Sequence, residues 1–352
     1  MFPLSVCIPT YNGGDYLEEC LDSILAQTFS NYEIVIVDDH STDDSFEIAN
    51  HYASKENRIR VYRNKRNLGL VNNWNHCIEL AKGEWIKFVF QDDLLEINCL
   101  ERMIEGVDSS KKMIVCKRKI IFDCDNYKIR RIYEPFLDRI SIDRIFEGKT
   151  DISPNDFCHA ITNNLKDNFI GEPTAVMLHR DVFDRYGMFN PNFIQLCDLE
   201  FWARVGCNCG MKYIPETLAT FRVHSKMASS KNRDKQIFKM KTIDVLLLYH
   251  EFAYNPNFKF LRDNAYCGSL NYDFEILAAL EAIRTYFIVK AISPIKSKLD
   301  ISPAFEWESF LLEYPNIIQS SYYKRFKILG PFFLYRRLLI LIYRHIFVSF
   351  FT

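Results

Sequence analysis

The chain has 352 residues, 48% of them hydrophobic and 25% charged, a globular composition that excludes wholesale disorder and leaves room for two domains. Its 44 Lys and Arg balance 45 Asp and Glu, so no global field draws it toward nucleic acid. The 11 cysteines are odd in number, irregularly spaced and without a CxxC pair, which disfavours a disulfide framework and points to reduced thiols in the cytoplasm. MFPLSVCIPTYN carries neither a basic region nor a long apolar stretch, so no signal peptide is expected. Leu4 to Ile8 reads as a buried strand. Leu17, Leu21, Ile24 and Leu25 then share one helical face, with Asp15 and Glu18 spaced as a capping box. Glu33 to Val37 is the next strand, followed by DDHSTDD and a helix over about 43–54. Arg60 to Tyr62 is a weaker strand, a helix over about 70–81 ends at Gly83, and WIKFVF (85–90) is a fourth strand. This alternation predicts right-handed crossovers and a mostly parallel sheet with helices on both faces.

From about 113 to 225, short strand-like runs at 113–116, 175–179 and Met211 to Ile214 alternate with loops, as in a continuation of the same domain. Long helical patterns follow at roughly 234–252 and 270–292. The expected division is therefore a first domain over 1–225, split near 110, and a helical region over 226–352.

Ligands of an open α/β sheet bind beyond the carboxyl ends of its strands. Asp38 and Asp39 follow the second strand, and Asp92 and Asp93 the fourth. If those strands are neighbours, four carboxylates converge, and such a cluster wants a divalent cation bridging to phosphate. The alternative is that Asp38 and Asp39 only cap the following helix. No GxGxxG, GxxxxGK[ST] or GxSxG occurs, which disfavours dinucleotide, P-loop and nucleophile-elbow chemistry. Cys197, Cys207 and Cys209 lack the paired, wider-spaced clusters of structural zinc. VDDHST only superficially suggests a phosphotransferase DxDxT, because His40 replaces the second acid and the run follows the second strand.

Taken in order, SVCIPTYN, VDDHSTD, RNLG and FQDD resemble the N-terminal half of family 2 glycosyltransferases with the GT-A fold. The resemblance extends over roughly residues 3–225 and implies a Rossmann-like, mostly parallel sheet with a helical C-terminal extension. It places Pro9, Thr10 and Tyr11 along a nucleotide pocket, with Asp39 accepting from the base, usually uracil, and Asn67, Gly69 and Asp92 at the same nucleotide. Gln91, Asp92 and Asp93 occupy the metal-binding DxD position. Gln91 replaces its first acid and leaves Asp93 as principal ligand to Mn2+ or Mg2+. GEPTAVMLHRDVFDRYGMFN resembles the stretch bordering donor sugar and acceptor, which assigns Glu172, Pro173 and Thr174 to substrate. QLCDLEFWARV puts Asp198 at the catalytic base, with Glu200 as competitor, and adds Glu200, Trp202 and Arg204 to the substrate contacts. Cys197 stands where an acid is common. Trp202 could instead be core, and Arg204 could pair with Asp198 or Glu200. In FRVHSKMAS, His224 approaches the metal or diphosphate.

The implied reaction moves a hexosyl or N-acetylhexosaminyl group from a UDP-sugar, or another nucleotide-sugar, to a hydroxyl of a glycan or lipid-linked acceptor in envelope polysaccharide synthesis, with inversion. The competing class is a non-catalytic nucleotide-sugar-binding or scaffold subunit. After Glu313 the chain has no acidic residue, yet Lys324, Arg325, Lys327, Arg336, Arg337 and Arg344 punctuate apolar runs. Those cations disfavour a spanning helix and suit an interfacial one on anionic lipid, over 324–352. The expected location is cytoplasmic, peripheral on the inner face of the membrane; a packed helix with a basic rim is the alternative.

Overall fold

The apolar runs near the N-terminus become buried strands. In the computed structural model, β1 (Leu4–Thr10) and β2 (Tyr32–Asp38) are buried along their whole length, as strands covered on both faces must be. They lie between β3 (Ile59–Arg63) and β4 (Trp85–Phe88), all four parallel, in the order β3-β2-β1-β4. Helices α1 (Gly14–Leu25), α2 (Ser45–Ala53) and α3 (Leu70–Leu80) connect them. α1 buries Leu17, Cys20, Leu21 and Ile24, the face that the sequence predicts. The capping box of Asp15 and Glu18 does not form. Asp15 lies inside the first turn, and the Gly14 N–H instead donates to the Asp43 carboxylate at 3.0 Å.

The structure describes residues 3–107, 110–123, 141–227, 238–267, 270–271, 273–292 and 303–328. Short β5 (Leu94–Leu95) and α4 (Cys99–Glu105) lead into β6 (Met113–Phe122). Next come α5 (Ile142–Ile145), β7 (Asp151–Ile152) and α6 (Pro154–Asn163). β8 (Val176–His179), α7 (Asp181–Tyr186), α8 (Cys197–Cys209) and β9 (Met211–Val223) follow. β8 joins the sheet antiparallel to both β4 and β6, while β9 runs parallel to β6 and gives the sheet its second long parallel ladder. β9 runs well past the expected Ile214. Its register against β6 shifts near Pro215, which has no N–H to offer the ladder, and pairing then resumes as far as Val223.

Two compact units emerge, Met1–Asp234 with Asn257–Asn271, and Lys235–Pro256 with Tyr272–Thr352. The first also holds α10 (Lys259–Asn264) and the small hairpin of β10 (Tyr266–Cys267) and β11 (Leu270–Asn271). The second is helical: a π-helical turn at Lys239–Ile243, α9 (Asp244–Tyr254), α11 (Phe274–Ile292), α12 (Pro303–Glu313) and α13 (Asn316–Gln319). Residues 329–352, most of the basic apolar tail, lie outside the described residues. Among the described residues no helix is long and apolar enough to cross a membrane.

Candidate active site

β1 and β2 end side by side, which brings the turns beyond them together. The Asp39 N–H donates to the Thr10 carbonyl at 2.7 Å, which carries the pairing one residue past the sheet. The Asp39 side chain is buried. Its Oδ1 accepts from the Leu68 N–H at 2.7 Å and the Asn64 amide at 2.8 Å, and its Oδ2 from the Gly69 N–H at 3.0 Å. The Asn67 amide donates to the Asp39 carbonyl at 3.1 Å. The fold thus gathers Asp39, Asn67 and Gly69 in one hydrogen-bonded cluster. An ionised carboxylate offers about four acceptor positions, so the three donors leave one, on Oδ2. Pro9 and Thr10 are buried within β1, while Tyr11 is 42% exposed.

The expectation of four converging carboxylates is corrected by strand order. β1 lies between β2 and β4, so their acidic ends are two strands apart. Asp38 is fully buried, where it accepts from the Ser41 N–H at 3.1 Å and pairs with Arg63 Nε at 3.2 Å.

At the end of β4, Gln91 acts as a clasp. Its Oε1 accepts from the Tyr11 N–H at 2.8 Å, and its Nε2 donates to the Tyr11 carbonyl at 3.2 Å. A Cβ at Gly13 would overlap this amide, so a side chain there would displace the Gln91 clasp. Asp93, the expected principal metal ligand, is fully buried. Its Oδ2 accepts from Thr174 Oγ1 at 2.5 Å and its Oδ1 from the Arg222 N–H at 3.1 Å. Burial and the neighbouring Asp92 charge hold its carboxyl well above the usual carboxylate range.

Asp92, not Asp93, faces His224, with 2.9 Å between Oδ2 and Nε2. The buried Nδ1 of His224 has no hydrogen-bond partner among the described residues. The Tyr16 ring lies tilted against the imidazole, 4.5 Å between centroids, and the Arg222 guanidinium lies over Tyr16 at 5.0 Å. Among the described residues, no three His, Cys, Asp or Glu side chains form a metal cage. One carboxylate and one imidazole still form a donor pair suited to a divalent ion that keeps positions for phosphate oxygens.

The third part of the site is the turn at 172–175 and the start of α8. Glu172 pairs with Arg118 Nε at 2.5 Å, and Pro173 and Thr174 sit in a buried 3₁₀ turn. Asp198 lies in the first turn of α8, half-buried, where Oδ1 accepts from the Leu199 N–H at 2.7 Å and Oδ2 from the Asn168 amide at 2.8 Å. Burial pushes its pKa up to about 7; the Leu199 N–H opposes the rise and the Glu172 charge adds to it. Glu172 also acts on Asp93, so the charge of this turn bears on both Asp93 and Asp198.

Three expected substrate contacts prove internal. Glu200 and Arg204 are buried and joined twice, Nε to Oε1 at 2.9 Å and Nη2 to Oε2 at 2.8 Å. Two residues along a helix turn a side chain about 200°, which carries Glu200 away from Asp198. Trp202 is fully buried, and its Nε1 donates to the Gly171 carbonyl at 3.0 Å. Asn168, Arg118 and Tyr16 escaped the sequence reading, since no local pattern marks a partner that only tertiary contact supplies.

Residues 5–187 match the family described as Glycosyl transferase family 2. The glycosyltransferase GlyG of Streptococcus pneumoniae is 40% identical over 112 residues, covering 32% of this chain and 37% of that relative. The chain thus spans little over a third of that relative's length. Staphylococcus aureus TarS 1–349, solved with UDP-GlcNAc, superposes with a TM-score of 0.55 at 16% identity, covering 90% of this chain and 81% of that one. The mannosyltransferase PcManGT of Pyrobaculum calidifontis, solved with GDP-Man and Mn2+, gives 0.53 at 16% identity, covering 92% and 82%. The GT-A fold, the clustered Asp39, Asn67 and Gly69, the Asp92–His224 pair and the matched residues 5–187 together make this chain a member of glycosyl transferase family 2.

Proposed function

We propose that the chain transfers a hexosyl or N-acetylhexosaminyl group, with inversion, from a UDP-sugar to a hydroxyl of a glycan or lipid-linked acceptor of the cell envelope. The observation that carries this reading is Asp198: half-buried, oriented by two hydrogen bonds, and with a pKa near 7. A general base works best when its pKa lies near the operating pH, because it is then both ionised and basic. In this reading Asp198 takes the acceptor proton as the hydroxyl attacks the anomeric carbon. Asp39, with one acceptor position left on Oδ2, receives the N–H of a uracil, and Tyr11, Asn67 and Gly69 complete that end.

Asp92 and His224 would hold a divalent ion, Mn2+ or Mg2+, with Asp93 fixing the backbone behind them. Bound there, the ion supplies a positive charge against the departing diphosphate. Glu172, Pro173 and Thr174 border the donor sugar, and Glu200, Trp202 and Arg204 stiffen the helix that bears Asp198. Residues 1–225 serve as the catalytic region, and 226–352 as a helical region that seats the enzyme on the inner face of the membrane.

The test is release of UDP from a panel of UDP-sugars. Asp198→Asn should cut turnover by about 10²-fold or more with donor affinity nearly unchanged. Tight UDP binding without release on any donor, whichever acceptor is supplied, would favour a binding or scaffold protein instead.

A further inference from the structure

Two carboxylates lie close together at the proposed catalytic end, and they are held by different chemistry. Glu172 has a cationic partner, Arg118, at 2.5 Å. Asp198 has a neutral one, the side-chain amide of Asn168, at 2.8 Å. Asn168 is itself fixed at both ends. Its Oδ1 accepts from the Gly171 N–H at 2.9 Å, and its Nδ2 also donates to the Gly171 carbonyl at 3.2 Å. That carbonyl receives the Trp202 indole N–H at 3.0 Å. Asp198 and Trp202 are four residues apart and so share one face of α8, and the 168–171 loop grips that face at two points. Gly171 makes the loop possible, because its φ is +101° and a Cβ there would overlap the Arg118 guanidinium.

We propose that Asn168 is the positioning residue of the catalytic base, aiming the Asp198 carboxylate through a neutral donor so that the base is oriented without being paired to a cation. This rests on the reading of Asp198 as the base. Its physical content lies in the neutrality of the donor. A guanidinium fixes a carboxylate in its ionised, weakly basic form, whereas an amide fixes its direction and favours ionisation far less. The charged groups acting on Asp198 are Glu172, which raises its affinity for a proton, and Arg118, which lowers it. Arg204 is engaged with Glu200 and carbonyl oxygens, away from this face.

The experiment compares full-length wild type, Asn168→Ala, Asn168→Asp and Asp198→Asn in UDP release across pH 5.5–9. Asn168→Asp keeps an acceptor for the Gly171 N–H but brings an anion to Asp198. Its acid limb in kcat/KM should move to higher pH by about one unit. Asn168→Ala should shift the limb in the same direction but less, with kcat down about tenfold or more from misorientation and donor KM within about twofold. A merely structural role would lower the amount of folded enzyme, read by circular dichroism, and leave the limb in place. If Asp198→Asn abolishes turnover while both Asn168 variants keep the wild-type limb and kcat, the positioning role is refuted and the base stands. Should Asp198→Asn turn over normally, the base assignment itself fails.

Discussion

At the scale of single residues, the site spends stability on chemistry. A carboxyl whose pKa is about 7 in the folded chain, against 3.8 for an unperturbed aspartate, binds its proton more tightly folded than unfolded. The folded state is therefore favoured below pH 4 and loses that advantage as pH rises through about 7, where Asp198 ionises in its half-buried setting. Asp198→Asn should accordingly stabilise the fold at pH 8 by on the order of 1–2 kcal/mol after allowing for partial exposure, read as a higher melting temperature. The gain should shrink as pH falls from 7 toward 4. A melting shift independent of pH would mean that the carboxyl is not strained by burial. Asp92 carries a separate expectation. UDP should bind more tightly with Mn2+ than with chelator, and Asp92→Ala should lose that increment in calorimetry. Equal affinity of the wild type in both conditions would remove the metal from the site.

At the scale of elements, the loop between β1 and α1 is tied down from outside itself. Gln91 holds both backbone groups of Tyr11, and Asp43 caps α1 through the Gly14 N–H. Two hydrogen bonds of this kind contribute about 1 kcal/mol each. Gln91→Ala should therefore raise the donor KM by up to about thirtyfold while kcat stays near wild type. A loss in kcat with KM unchanged would place Gln91 at the chemistry instead. The first strands and helices were legible because their apolar spacing is strong and local: α1 buries the face that Leu17, Leu21 and Ile24 announce. Features that depend on tertiary neighbours were not. Gln91 reads as a defective metal ligand until the Tyr11 backbone is seen beside it. Asp15 and Glu18 read as a cap until Asp43 takes that task, and β9 reads as four residues until β6 is there to pair the rest. Asp198 lies at the start of α8, but nothing near it in sequence reveals Asn168, thirty residues upstream.

At the scale of the whole molecule, the tail sets one expectation. Residues 329–352 carry Arg336, Arg337 and Arg344 among apolar runs, and no acid follows Glu313. The full chain should float with anionic liposomes at low salt, and lose that binding as salt rises or when 324–352 are removed. Flotation of the deletion equal to that of the full chain would refute the membrane role. The strand order has a quieter consequence. With β1 between β2 and β4, the turn that bears Asp39 and the turn that bears Asp92 stand two strand spacings apart, about 9.6 Å. On the proposed reading, a nucleobase satisfies one end of that span and a diphosphate the other. Uridine or pyrophosphate alone engages half of it. Joined in one molecule, the second contact forms at high effective concentration rather than from solution, so the sheet serves as a ruler that measures a nucleotide by its length.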